Sequence, residues 1–311
     1  IDGPKKSYDK PELNELIISV KDDASIKHEL DNLLNNGVHA IKLYYGLNKE
    51  LTKKIVSYVN GRCPVIMHCG LTKALEAAHI GVDSIEHVML SIHHDLVGTK
   101  LFETYEGIEN KNYWKKVIQD WEDINLSSNK IKTFIAALAD SKVGLCSTLS
   151  LLWLGYIGID AARNDPLRNL IDTTFINKRD RLENIDIDLM PPLYNPIYSK
   201  KAVEKQLEFL NLFHSKGGLI VGGTDFGANY YPPAGYGLQK EISLLSLAIG
   251  EMEALKSVTS IAARLLNKGE KLGQLKPGYL ADIVVLNNNP LLNINYIENI
   301  HSVYSNGKKV R

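Results

Sequence analysis

Four apolar runs in this chain each end in a residue able to bind a metal or move a proton. They are Ala40-Ile41-Lys42-Leu43-Tyr44, Val65-Ile66-Met67-His68-Cys69, Asp83-Ser84-Ile85-Glu86-His87 and Leu219-Ile220-Val221-Gly222-Gly223-Thr224-Asp225. His68, His87 and Asp225 offer nitrogen and oxygen donors for hard or borderline divalent cations. A carboxylate in the position of Asp225, on a strand with no other charge, is costly to bury unless a cation or hydrogen bonds compensate it. A histidine at a strand end also serves as a satisfied structural group, so each residue carries weight only through the recurrence. By alternation, Glu86 and His87 should project to opposite faces of their strand.

Lys42 is the odd member, because an ammonium has three donors and no lone pair. Three roles suit it. It becomes a metal ligand if its amine is converted to a carbamate with carbon dioxide, a reaction that requires the neutral amine. It becomes a nucleophile if it forms a Schiff base. Otherwise it is a structural partner for a carboxylate.

The elements around these residues alternate. Helices are expected over Ile26–Leu34, Leu47–Val59 and Thr72–Ile80, stopped by Gly37, Gly61 and Gly81. Strands are expected over Val38–Leu43, Pro64–Cys69 and Val82–His87. Strand–helix–strand units this short imply a parallel sheet with helical crossovers. The stretch from His87 to Lys130 reads as extended and aromatic, and the His93-His94 pair within it as a solvated loop, with a place lining the mouth as the alternative. A helix over Ile131–Asp140 leads to a strand over Val143–Leu149. Prolines at 166, 191, 192 and 196 exclude a single helix across Leu151–Ser199. A helix over Ala202–His214 precedes the strand that ends at Asp225, and helices follow over Glu241–Ile249 and Met252–Leu266. The intervals from 42 to 68 and from 68 to 87 each fit one crossover. The interval from 87 to 225 fits two with long insertions, which places the four residues on strands four, five, six and eight of an eight-stranded barrel. Short β-prone runs, Asp282–Leu286 and His301–Tyr304, close the chain between Gly, Pro and Asn punctuation.

Composition narrows the partners. Lys plus Arg and Asp plus Glu each number 36 among 311 residues, so no net field favours nucleic acid or an anionic membrane surface. No apolar run reaches membrane-spanning length. Cys63, Cys69 and Cys146 have no CxxC spacing and do not suggest a disulfide framework. A cytoplasmic setting is the expectation, with an extracytoplasmic one left open. There is no GxSxG elbow and no phosphate-binding glycine loop.

The segments Gly37-Val38-His39-Ala40-Ile41-Lys42, Pro64-Val65-Ile66-Met67-His68, Gly81-Val82-Asp83-Ser84-Ile85-Glu86-His87 and Gly223-Thr224-Asp225 resemble the amidohydrolase superfamily. So does Leu275-Lys276-Pro277-Gly278-Tyr279-Leu280-Ala281-Asp282-Ile283-Val284-Val285-Leu286 near the end. The imidazolonepropionase-like and Xaa-Pro or Xaa-Arg dipeptidase-like branch is most similar. The resemblance implies an α/β fold, a TIM-type (β/α)8 barrel over 1–269, with strands three or four to eight present. It implies a C-terminal half of a small composite β-sandwich over 270–311. It further implies two divalent metals, zinc by default with manganese, iron or cobalt suited as well, and a CO2-derived carbamate on Lys42 that bridges them. His68 and His87 would bind one metal and Asp225 the other, with Asp225 also serving a bridging hydroxide as proton acceptor and donor.

The implied activity is hydrolysis of an amide, peptide or cyclic-amide C–N bond in a small-molecule or dipeptide-like substrate. Tyr44 and the loop Phe226–Tyr231 are candidate pocket residues. The family's HxH pair on the first strand does not occur in this sequence. The expectation is that an N-terminal segment or fragment of the same protein supplies it, with a genuine truncation as the rival, and a homo-oligomer is compatible. A Schiff-base lyase using Lys42, or a metal-depleted assembly module, are the alternatives.

Overall fold

The computed structural model describes residues 1–4, 17–98, 111–158, 161, 164–170, 199–226 and 232–311, the side chains of 111–114 and 168 excepted. Most of the Leu151–Ser199 stretch and the aromatic residue Tyr105 therefore lie outside the described residues.

The expected alternation forms one parallel sheet. Its strands are β1 (Ile41–Leu43), β2 (Val65–Met67), β3 (Ser84–Glu86), β4 (Gly144–Cys146) and β5 (Leu219–Val221), in the order β1-β2-β3-β4-β5. Register fixes the two faces. Lys42 aligns with Ile66, Ile66 with Ser84, Ser84 with Gly144, and Gly144 with Leu219. The alternate positions Ile41, Leu43, Val65, Met67, Ile85, Leu145 and Ile220 are all buried and belong to the main apolar core. They form the layer beneath the helices, which leaves Lys42, Ser84 and Glu86 on the inner face. Beside β1, the Tyr44 amide donates to the Ile1 carbonyl at 2.8 Å, so residues 1–3 run along that edge.

Helices α1 (Asp23–Asn35), α2 (Lys49–Val59) and α3 (Ala74–Ile80) precede β1, β2 and β3. The starts of α1 and α2 are capped by side chains: Asp22 accepts from the Ser25 amide at 2.8 Å and Asn48 from the Leu51 amide at 3.0 Å. These contacts satisfy amides that a helix start leaves unpaired. Gly81, at φ +100, ends α3 in the left-handed conformation.

Beyond β3 the chain is more helical than its sequence suggests. A π-helical turn, Val88–Ile92, continues into α4 (His93–Val97), and α5 (Lys111–Asp123) follows. His93 and His94 are buried, not solvated. The His93 Nε2 stands 2.9 Å from Asp120 Oδ2 on α5, and the Trp121 indole donates to the Met89 carbonyl at 2.8 Å. This packing turns a polar, aromatic stretch into a helical layer. Helix α6 (Asn129–Asp140) leads to β4, which is shorter than expected: at Thr148 the backbone turns left-handed, φ +50, into a 3-10 helix over Leu149–Leu152. Helix α7 (Trp153–Ile157) comes next, and α8 (Lys200–Ser215) precedes β5.

After β5 come α9 (Tyr236–Ile249), α10 (Glu251–Ser257) and α11 (Ser260–Leu265). The single helix expected over Met252–Leu266 is broken at Val258-Thr259, two β-branched residues with non-helical backbone. A separate antiparallel sheet joins β6 (Ile283–Leu286), β7 (Ile300–Ser305) and β8 (Lys308–Lys309). All three cysteines are free and buried. Among the described residues no helix is long and apolar enough to cross a membrane.

Candidate active site

The carboxyl ends of the five strands bring the four expected residues together. Lys42 Nζ lies 3.6 Å from Asp225 Oδ1, and His87 Nε2 lies 3.9 Å from Asp225 Oδ2. The His68 and His87 rings meet edge to face, 4.6 Å between centroids. A flat sheet would separate β1 from β5 by four strand spacings, about 19 Å. Contact between side chains from its two outermost strands requires strong curvature, as in a barrel wall.

Left-handed backbone aims two of these groups. His87 adopts φ +63 and Asp225 φ +47. Such a conformation interrupts strand alternation, and it corrects the expectation that Glu86 and His87 face opposite layers. Glu86 stays on the inner face, where the Ser84 hydroxyl donates to it at 2.7 Å. His87 turns back to the same mouth. Histidine and aspartate are among the side chains that tolerate this region best.

Electrostatics differ among the members. Burial, then His87 and Lys42, hold His68 well below the ordinary imidazole value. Burial and the Lys42 charge push His87 down to about 3. Both rings are therefore neutral near pH 7 and keep a lone pair. Burial raises Glu86, partly offset by hydrogen bonds from Ser84 and Cys146. Lys42 and Asp225 are more open, each about one-third exposed at 34% and 33%.

Aromatic rings wall one side. Tyr45 and Tyr44 lie 5.3 and 5.8 Å from the His68 ring, and the Lys42 ammonium is 5.8 Å from the Tyr44 ring centroid. Phe226 is exposed, and residues 227–231 of the expected pocket loop lie outside the described residues. Gly222 and Gly223 allow close packing at the end of β5: a Cβ there would fall 2.4 Å from Val258 Cγ1 or 2.5 Å from Cys146 Sγ.

One contact had no signal in the strand-end pattern. Thr148 Oγ1 lies 3.1 Å from His87 Nδ1, and the His87 amide donates to the Cys146 carbonyl at 3.0 Å. Nδ1 faces the Thr148 hydroxyl, which can accept from it or donate to it according to the tautomer, while Nε2 is turned toward Asp225. Among the described residues no three His, Cys, Asp or Glu side chains form a ready-made metal cluster.

The model of the amidohydrolase family matches residues 10–310. No curated protein matches the sequence significantly. Among solved structures, the chain is similar to a Xaa-Pro dipeptidase with methionine bound in its active site, at TM-score 0.59 and 18% identity. It is similar to a prolidase complexed with N-methylphosphonate-L-proline, at TM-score 0.58 and 16% identity. It also resembles the A. niger ochratoxinase, at TM-score 0.57 and 16% identity. These alignments cover 94%, 94% and 100% of this chain but only 59%, 60% and 59% of the other three. At such identities the likeness establishes the fold, and the chain spans about 60% of the length of the solved structures it matches.

Proposed function

Because the chain belongs to the amidohydrolase family, we propose that its strand-end cluster hydrolyses an amide, peptide or cyclic-amide C–N bond with divalent cations as cofactors. The observation that carries this reading is the meeting of Lys42 and His87 on one carboxylate, Asp225, at 3.6 and 3.9 Å. Groups from the first, third and fifth strands meet in this way only at the carboxyl rim of a curved parallel sheet.

The donor set suits a cation in its chemistry. Two imidazoles kept neutral by their surroundings, together with a carboxylate, are the borderline ligands that zinc favours, and manganese, iron or cobalt accept similar sets. The set is partial. The family resemblance assigns the remaining donors to an HxH pair from an N-terminal segment and to Lys42 as a CO2-derived carbamate. Its coverage, about 60% of the related structures, agrees with a further segment. In the β6–β8 sheet, neighbouring Val284 and Val285 are both exposed, so apolar surface on β6 lacks cover among the described residues.

His68, His87 and Asp225 would hold the metals, which when bound would polarise the scissile carbonyl and lower the pKa of a water. The remaining work falls to this chain's own groups. Asp225 is open enough to accept a proton from the attacking water and return it to the leaving amine. Tyr44 and Tyr45 form an apolar wall beside His68 that suits a small-molecule or dipeptide-like substrate.

The test is turnover by the purified full-length protein on Xaa-Pro and Xaa-Arg dipeptides and N-acyl amino acids, with zinc or manganese added after chelation. Metal-restored hydrolysis that disappears in Asp225→Asn is expected. Turnover that survives both chelation and Asp225→Asn would sink the proposal, as would borohydride trapping of a substrate on Lys42.

A further inference from the structure

Glu241 lies in the middle of α9 and is fully buried, with 0% of its surface exposed. Its carboxylate reaches past its own helix to the turn that follows β4. Oε1 accepts from the Ser147 hydroxyl, and Oε2 accepts from the Ser150 amide at 2.6 Å. The Leu149 amide is a further donor to it. All of these partners are neutral hydrogen-bond donors, and none is a cation. A carboxylate held only by such donors in an apolar layer is costly to keep, and an apolar side chain of similar size would fill the space at lower cost.

The turn it grips is the one that carries Thr148. Between Ser147 and Leu149, Thr148 sits at φ +50, a conformation a β-branched residue rarely adopts and one that must be held from outside. Ser147 and Ser150 are the fixed points on either side. The Ser147 amide in addition donates to the Val221 carbonyl at the end of β5, at 3.2 Å. Held in this way, the Thr148 hydroxyl faces His87 Nδ1 at 3.1 Å.

We propose that Glu241 is a positioning residue, which clamps the 147–150 turn so that the Thr148 hydroxyl stays on His87 Nδ1 and holds the ring with Nε2 turned toward Asp225. The chain of contacts runs from α9, through the turn after β4, to the end of β3. It ties the helix that follows Asp225 to the ring that faces Asp225. The proposal rests on the hydrolase reading only for what Nε2 is used for. The hydrogen bond at Nδ1 is a property of the protein without metal or substrate.

The experiment is nitrogen-15 NMR of the metal-free full chain with labelled histidine, the His87 signals being assigned by their absence in His87→Asn. In the parent chain the His87 Nδ1 shift should be that of a hydrogen-bonded nitrogen. Thr148→Val removes the hydroxyl and should move the shift to that of an Nδ1 without this partner. Glu241→Gln keeps the shape but turns an amide NH2 toward one of the donors, so the Nδ1 shift should move in the same direction. Where Glu241→Gln does not fold, Ser147→Ala removes one anchor of the same clamp and should change the signal in the same direction. A parent-like His87 spectrum in folded Glu241→Gln, or in Ser147→Ala when that variant is the one that folds, would overturn the proposal. Metal affinity gives a second readout, with a loss of about tenfold expected in Glu241→Gln. Failure of every hydrolysis assay would leave the spectra unchanged, so the two readings fail separately.

Discussion

Lys42 Nζ and Asp225 Oδ1 stand 3.6 Å apart although Lys42 lies on β1 and Asp225 follows β5, the two outermost strands of the parallel sheet. Each is about one-third exposed, so the pair is partly screened and contributes at most about 1 kcal/mol to folding. On the proposed function its value lies in what the carboxylate does for a substrate. Asp225→Asn should therefore lower kcat by about 10²–10⁴-fold, the range for loss of a general acid–base group, while stability changes by less than about 1 kcal/mol. Steady-state kinetics beside urea unfolding would separate the two. A comparable loss of both would mean that Asp225 is structural.

The strand-end residues were legible in the sequence because an apolar run that stops at His or Asp is unusual in a buried strand. Lys42, His68, His87 and Asp225 could be found that way. Their aim could not, since the left-handed turns at His87 and Asp225 leave no period in the sequence. Thr148 was hidden for a related reason: Val143–Leu149 is apolar enough to read as one strand, and the turn inside it is held by a residue far along the chain. Glu241 did leave a trace. It falls on the buried stripe of α9 with Gly237, Leu244, Leu245 and Ala248, where a carboxylate is out of place. His93 looked solvated only because its partner, Asp120, lies on a helix that polar and aromatic residues disguise.

Thr148 offers His87 a hydroxyl that serine can also supply and valine cannot. Thr148→Val should reduce metal affinity or activity by about 10–100-fold, the usual cost of losing a group that orients a liganding histidine. Thr148→Ser should retain most of both, because the 3.1 Å contact uses only the hydroxyl. Equal losses in the two variants, measured by metal titration and kcat, would show that the methyl group and its packing matter instead.

Gly70 follows His68 and Cys69 and leaves room for the chain at Tyr45. A Cβ at Gly70 would fall 2.4 Å from Tyr45 Cβ and 2.6 Å from the Tyr45 carbonyl oxygen. Backbone must move to relieve that clash, and Tyr45 is one of the rings beside His68. Gly70→Ala should destabilise the fold by about 1–3 kcal/mol, as overpacking usually does. It should also raise KM more than Asp225→Asn does. An unchanged denaturation midpoint would show that the turn is free to shift.

Glu241 should make stability fall as pH rises. Burial lifts its carboxyl from 4.5 to about 7, with the Ser147, Leu149 and Ser150 donors pulling the other way. Between these values the folded chain binds a proton that the unfolded chain has released. The contribution is therefore complete below about pH 4.5 and is lost as pH rises through about 7. The full difference is of order 3 kcal/mol. His68 and His87 act with the opposite sign. Their values are depressed in the folded state, so their contribution is present above the unfolded value of 6.5 and is lost as pH falls, for His87 down to about 3. A pH profile of the parent chain alone mixes the two trends. Glu241→Gln removes one of them and leaves the histidine trend in place. Subtracting the two urea-unfolding profiles between pH 4 and 8 should give a curve that declines for the parent relative to the variant, centred between pH 5 and 7. A flat difference would mean that the donors balance the burial, so that Glu241 titrates alike in the folded and the unfolded chain.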